Sequence, residues 1–262
     1  MRTIRLVFVL FFTGPAFAGT LHDLDVILEV VDGEITTNRV TAGNTTEPER
    51  VFDADMISFF GNIVTNDPGI NSGLGALPAF TVFSLDLAAP LKRWNGDGFD
   101  DVDPAHYLEI EHNNQVAQSP MSEGVVVTGP LMNATEFGDV HNHPDNFLVI
   151  DEQPGIYLGT LRITSATLED SEDFYFVYRW EPTSGDLVAA EAEQQLAIEW
   201  VRDNVVSDPC PTDFNDDGVT DSSDLATLLA AWETPGVDLD GDGNTQSGDL
   251  AILLAAWGAC AG

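Results

Sequence analysis

Asp213, Asn215, Asp217, Asp221 and Asp224 hold positions 1, 3, 5, 9 and 12 of a 12-residue stretch, and Asp238, Asp240, Asp242, Gln246 and Asp249 hold the same positions 25 residues later. Oxygen donors at this spacing suit a hard divalent cation, because calcium gathers 6–8 oxygens at about 2.3–2.6 Å and the chain must wrap around it. Gly218 and Gly243 stand at position 6, where the wrap turns most sharply; Val219 and Asn244 at position 7 would each lend a backbone carbonyl. Carboxylates crowded this closely repel one another unless a cation lies between them. The expected cofactor is calcium, one ion in each copy, two in all.

The spacing belongs to a longer repeat. DFNDDGVTDSSDLATLLAAW from Asp213 and DLDGDGNTQSGDLAILLAAW from Asp238 align without gaps and share 13 of 20 residues. A repeat this dense is one structural unit used twice. Each loop leads into an amphipathic helix: Leu225, Leu228, Leu229 and Trp232 recur at i, i+3, i+4 and i+7, as do Leu250, Leu253, Leu254 and Trp257. The sequence predicts that each apolar stripe packs against the other copy.

This pattern resembles the dockerin domain of type I, whose paired loop–helix calcium repeats lack the entering helix of a full EF-hand. The resemblance covers roughly residues 208–262, and Asp rather than Glu at position 12 fits it. It implies binding to cohesin-like modules or another surface protein, and attachment of extracellular polysaccharide-degrading enzymes or adhesins to scaffolds. The positions that would read the partner are Ser222, Ser223, Ser247 and Gly248. The basic pair common midway along such helices is replaced by Ala230-Ala231 and Ala255-Ala256, and no Lys or Arg follows Arg202. Calcium binding carries over to these residues; recognition of a standard cohesin does not, and an alanine-lined face suits a differently built partner.

Cys210 and Cys260, the only cysteines, bracket the repeat. Repeats that pack with their ends together would bring them close, and closing a loop of about 50 residues stabilises by ~4 kcal/mol in the chain-entropy model. A disulfide clasp is expected, with two free thiols as its alternative.

What holds these residues must be read from the rest of the 262-residue chain. With 44 Asp+Glu against 9 Lys+Arg, the net charge is −35, yet 44% of residues are hydrophobic, enough for a packed core. Such a charge repels phosphate backbones and anionic lipid, so neither nucleic-acid binding nor membrane insertion is expected. MRTIRLVFVLFFTGPAFA reads as a signal peptide: Arg2 and Arg5, an apolar run from Leu6 to Phe12, then Ala16-Phe17-Ala18. The chain is therefore expected to be secreted or at the cell surface after cleavage near Ala18, where calcium is plentiful and disulfides persist.

Residues 19–183 read as strands. LDVILEVVDG from Leu24 meets the hairpin signal Asp32-Gly33, and TVFSLDL, HYLEIEH, GVVVTG, FLVID, GIYLGTLRIT and DFYFVYRW follow. In the last, Phe174, Phe176, Tyr178 and Trp180 share one face. Seven or eight strands separated by Gly, Pro and Asn turns predict a β-sandwich domain. Residues 184–207 supply a helix from about Leu187 to Arg202, with Ala192, Leu196 and Trp200 on one face, and a short linker; residues 208–262 form the small all-α calcium module. The expected fold is a multi-domain chain, mainly β-sandwich.

Other chemistry is less sharply patterned. His141 and His143 would face the same way on a strand and, with Asp145, His106 or His112, could hold zinc or another borderline metal, although Asn142 and Pro144 argue for a turn. NGDGFDD from Asn95 resembles part of a calcium loop, but Arg93 falls where the first ligand would be, which favours an ordinary acidic turn. Glu109 and Glu111 share a strand face without a recognisable motif. The chain has no GxSxG, HExxH or phosphate-cradling loop. Two further roles stay open: a glycoside hydrolase component, by association with dockerins alone, or a non-catalytic carbohydrate-binding or surface structural protein.

Overall fold

The computed structural model describes residues 25–41, 45–151, 153–181, 187–206, 211–215, 219–234, 236–240 and 242–259. The expected signal peptide, both cysteines and Asp217 lie outside the described residues. The chain divides into two compact units, one running to Trp200 and the other from Val201.

The first unit is β-rich. Its seventeen described strands form three sheets. In the first, Val140–Asn142, Ile70–Ser72, Val26–Val31, Glu34–Thr41 and Thr45–Pro48 lie side by side. The Asp32-Gly33 signal makes a two-residue hairpin, pairing Val31 with Glu34, with both turn residues at positive φ (53° and 101°). That twist matches the flanking strands. The second sheet orders Phe99–Asp101, Lys92–Trp94, Gly155–Ser165, Phe174–Trp180 and Val51–Asp55, with Val82–Leu87 on Gly155–Ser165 and Leu131–Asn133 beyond it. The third orders Gln115–Gln118, Tyr107–His112, Asp145–Val149, Asn62–Thr65 and Ile57–Phe59.

One apolar cluster draws on all three sheets, with Val26, Leu28 and Ile35 from the first, Phe52, Phe83 and Leu161 from the second, Ile63, Leu108 and Leu148 from the third. Phe174, Phe176 and Tyr178 are buried in it, their rings meeting edge-on at 5.8 Å. The Tyr178 hydroxyl donates to Asn146 Oδ1 at 2.9 Å, which satisfies that hydroxyl inside the core.

Two expectations need correction. GVVVTG does not form a strand: only Val127 makes a bridge, to Leu87, while Val125 and Val126 are exposed. The Gly129 N–H turns to the Asp86 carboxylate, and Pro130 has no N–H to extend a ladder. Helix α1 (Leu187–Val201) buries Gln194, Ala197, Ile198 and Val201 rather than Ala192 and Leu196. The polar Gln194 takes a core position because its amide donates to Val177 O at 2.9 Å, and Trp200 packs against Trp94 and Phe99. Trp94 is thus a packing residue, and Asn95 caps the hairpin beside it by accepting the N–H groups of Asp97 and Gly98.

The second unit contains a π-helical stretch (Arg202–Val206), α2 (Ser222–Ala230), α3 (Ser247–Ala255), and a pair of two-residue strands, Val219–Thr220 and Gly258–Ala259. Among the described residues, no helix is long and apolar enough to cross a membrane.

Candidate metal centre

In the second loop, Asp238, Asp240 and Asp242 are exposed and each offers a carboxylate oxygen within 4.8 Å of the others. The loop's own N–H groups aim them. Gly243 donates to Asp238 at 2.8 Å, Asp242 to Asp240 at 3.2 Å, and Asn244 to Asp242 at 3.0 Å. Gly243 makes the turn at φ +91°, a conformation that side-chain-bearing residues adopt rarely. Three carboxylates gathered by three amides leave a large negative excess, and the arrangement suits an oxygen-seeking divalent cation.

The aspartate at position 12 is held inside its own loop. Asp249 has no exposed surface; it accepts Leu239 N–H at 2.7 Å and Gln246 N–H at 2.6 Å. Asp224, equally buried, accepts Phe214 N–H at 2.7 Å and Asp221 N–H at 2.7 Å. These are the same two loop positions, 2 and 9, in each copy. Each aspartate is also the third residue of its helix, so one carboxylate ties the loop's mouth to the helix N-terminus. The backbone N–H donors, Asp221 foremost for Asp224 and Gln246 for Asp249, outweigh burial and hold both carboxyls below the usual range. Asp221 completes its own cap by accepting Ser223 N–H at 2.7 Å.

Of the first loop, Asp213 is buried, Asn215 and Val219 are exposed and Asp221 is half-buried; in the second, Asn244 and Gln246 are exposed. The position-8 threonines, which the ligand spacing did not single out, are fully buried. Thr220 shares a 2.6 Å hydrogen bond with Thr212, and Thr245 accepts Val237 N–H at 2.9 Å, each fastening its loop to the residue just before it. Their identity in both copies was the signal available.

Neither a protein-family model nor a curated protein matches this chain.

Ser222, Ser223 and Ser247, the positions expected to face a partner, are exposed. Gly248 differs: a Cβ there would stand 1.9 Å from Asp240 Oδ2, so its lack of a side chain makes room for a candidate ligand. The apolar stripes are only partly covered. Leu228 and Leu253 are fully buried, but Leu229 and Leu254 are 51% and 52% exposed, and Trp232 and Trp257 are 37% and 47% exposed. Each helix is one short run of 9 residues that ends before its tryptophan, so the expected stripe is cut short: the leucines bury one edge and expose the other, and Trp232 and Trp257 lie beyond the helices.

His141 and His143 do lie on one side of the chain, with ring centroids 5.1 Å apart. The partners foreseen for them go elsewhere: His106 faces Asp151 at 3.2 Å, and His112 bonds Asn142, its pKa lowered chiefly by burial. Asp145 is half-buried, which raises its carboxyl. Glu109 accepts from Gln118 at 2.8 Å.

Proposed function

We infer that this is an exported calcium-binding protein in which a dockerin-like C-terminal unit tethers a β-sandwich-like unit to an extracellular or cell-surface partner in a polysaccharide-related setting. The observation that carries the reading is the equivalence of the two loops. The same buried aspartate is pinned by the same two amides in both, and Asp238, Asp240 and Asp242 converge in the copy where all three are described. Calcium would bind a site absent from the unfolded chain, so its binding energy becomes folding energy.

The tether follows from what stays uncovered. Leu229 and Leu254 on the helices, with Trp232 and Trp257 just beyond the helix ends, are exposed at matching positions of both copies and, beside exposed Ser222, Ser223 and Ser247, offer a duplicated apolar surface rimmed by hydroxyls. Full-length chain used as bait on surface and secreted fractions should capture a partner in calcium and release it in chelator. An Asp238→Asn/Asp240→Asn/Asp242→Asn variant that captures the same partner would overturn the calcium-dependent tether.

One observation favours a second reading, non-catalytic binding of a glycan or surface polymer by the β-rich unit. Phe80 and Phe137, about two-thirds exposed, line a shallow hollow with Leu74, Thr135, Glu136 and Asp139. Phe80 sits at φ +59°, held by its N–H to Thr135 O at 3.0 Å. A bulky residue in that region is strained, and such strain concentrates at functional surfaces. Retention on an insoluble glycan, lost in Phe80→Ala/Phe137→Ala, would support it.

A further inference from the structure

The geometry points to a second kind of metal site, in the β-rich unit: Asp25, His141 and His143 bind one borderline divalent transition metal of the zinc class. Each offers one ligand atom, and the three atoms lie within 4.8 Å of one another. Around a tetrahedral zinc with bonds of about 2.1 Å, ligand atoms stand ~3.4 Å apart, so small side-chain rotations close the set.

The register of the first sheet assembles it. Asp25 immediately precedes Val26–Val31, whose parallel neighbour Ile70–Ser72 pairs Asn71 with His141 on its other side. Asp25 is 1% exposed and already oriented. Its Oδ1 accepts Gly69 N–H at 2.9 Å, while its Oδ2 accepts the Asn71 amide at 3.3 Å and faces His143 Nε2 at 3.9 Å. His143 Nδ1 lies 2.9 Å from Asn66 O. A carbonyl only accepts, so Nδ1 carries the proton, and in the neutral ring the lone pair is on Nε2, the atom turned towards Asp25. A carbonyl that fixes the tautomer and leaves the opposite nitrogen to the metal is the usual outer partner of a ligating histidine.

Gly69 gives the ring its place. A Cβ at that position would stand 2.6 Å from His143 Cε1 and 2.9 Å from Asn142 O. His141 lies on the solvent side, so three protein ligands leave an outward coordination position for water. Two imidazoles and one carboxylate select a borderline metal; the all-oxygen loops of the C-terminal unit select a hard one. The two classes therefore separate cleanly by chemistry.

The test titrates the metal-stripped full chain with cobalt(II), then zinc, in saturating calcium that fills the acidic loops. The expected result is one equivalent of calcium-resistant cobalt with the intense visible bands of a low-coordinate, nitrogen-ligated ion, displaced by zinc. His141→Ala, a change at an exposed position, should weaken binding at least tenfold with the circular dichroism of the β-rich unit unchanged, and His141→Ala/His143→Ala should abolish it. Asp238→Asn/Asp240→Asn/Asp242→Asn should leave it unchanged. No calcium-resistant binding, as for a simple His143–Asp25 ion pair, would overturn the site; so would wild-type affinity in His141→Ala, or loss in the loop variant.

Discussion

Asp224 and Asp249, 25 residues apart, make the same pair of hydrogen bonds: each accepts the N–H of loop position 2 and the N–H of its own helix cap, at 2.6–2.7 Å. The residue that would close a cation site from one side thus already starts the helix that follows. Loop and helix are coupled through a single carboxylate in each copy, and perturbing one perturbs the other.

Asp221 separates capping from metal binding. Asp221→Ala removes the acceptor for Ser223 N–H, which costs about 1 kcal/mol of helix stability in chelator. In calcium the loss should be larger, because a weaker site also forfeits the mass-action stabilisation of a bound ion. Thermal melts followed at a helix wavelength, with and without calcium, give both numbers. Equal losses in the two conditions would mean that Asp221 only caps.

Acid should unfold the helices of the calcium-free C-terminal unit. Amide donors hold the Asp224 and Asp249 carboxyls below their ordinary value of 3.8 in the folded state. Their contribution is therefore complete above that value and disappears as pH falls through the lowered folded-state values. Circular dichroism from pH 6 to 2 in chelator should show helix loss below about pH 4. Helicity retained at pH 2 would mean these bonds do not hold the unit.

Gly69→Ala should displace the His143 ring from the pocket beside Asn66, since the added Cβ overlaps the ring and Asn142 O. Overpacking of this kind costs typically 1–3 kcal/mol. Chemical denaturation reports the stability loss, and the His143 ring resonances report the change of tautomer. An unshifted spectrum would show that the ring is not seated as described.

Tyr178→Phe tests the polar tie across the core. It leaves the buried Asn146 Oδ1 without its 2.9 Å donor, and an unpaired buried acceptor costs about 1–3 kcal/mol. The effect should be read in the denaturation of the β-rich unit. A neutral substitution would mean that another donor takes the hydroxyl's place.

The loop turn in the second copy and both helix starts were legible because their information is local: the oxygen donors, turn glycine and cap lie within a dozen residues. The aromatic stripe of Phe174–Trp180 was legible for the same reason, since period two is written along one strand. The Asp25–His141–His143 cluster was not, because it depends on a parallel pairing of Val26 with Ile70 and an antiparallel one of Asn71 with His141, neither of which leaves a local trace. The inward face of α1 was misread because a polar residue, Gln194, occupies a core position by bonding a backbone carbonyl. Three-residue strands such as Ile57–Phe59 and Leu131–Asn133 are too short to display a period at all.

The two copies of the repeat also exchange backbone bonds. Thr220 of the first loop pairs with Gly258, beyond the second helix, while Thr245 of the second loop bonds Glu233 and Thr234, beyond the first. Each loop is thus braced by the tail of its sibling. A solitary copy would present an unmet edge and find its complement only in another molecule. The two copies stand as a couple, and damage to either half is felt by both.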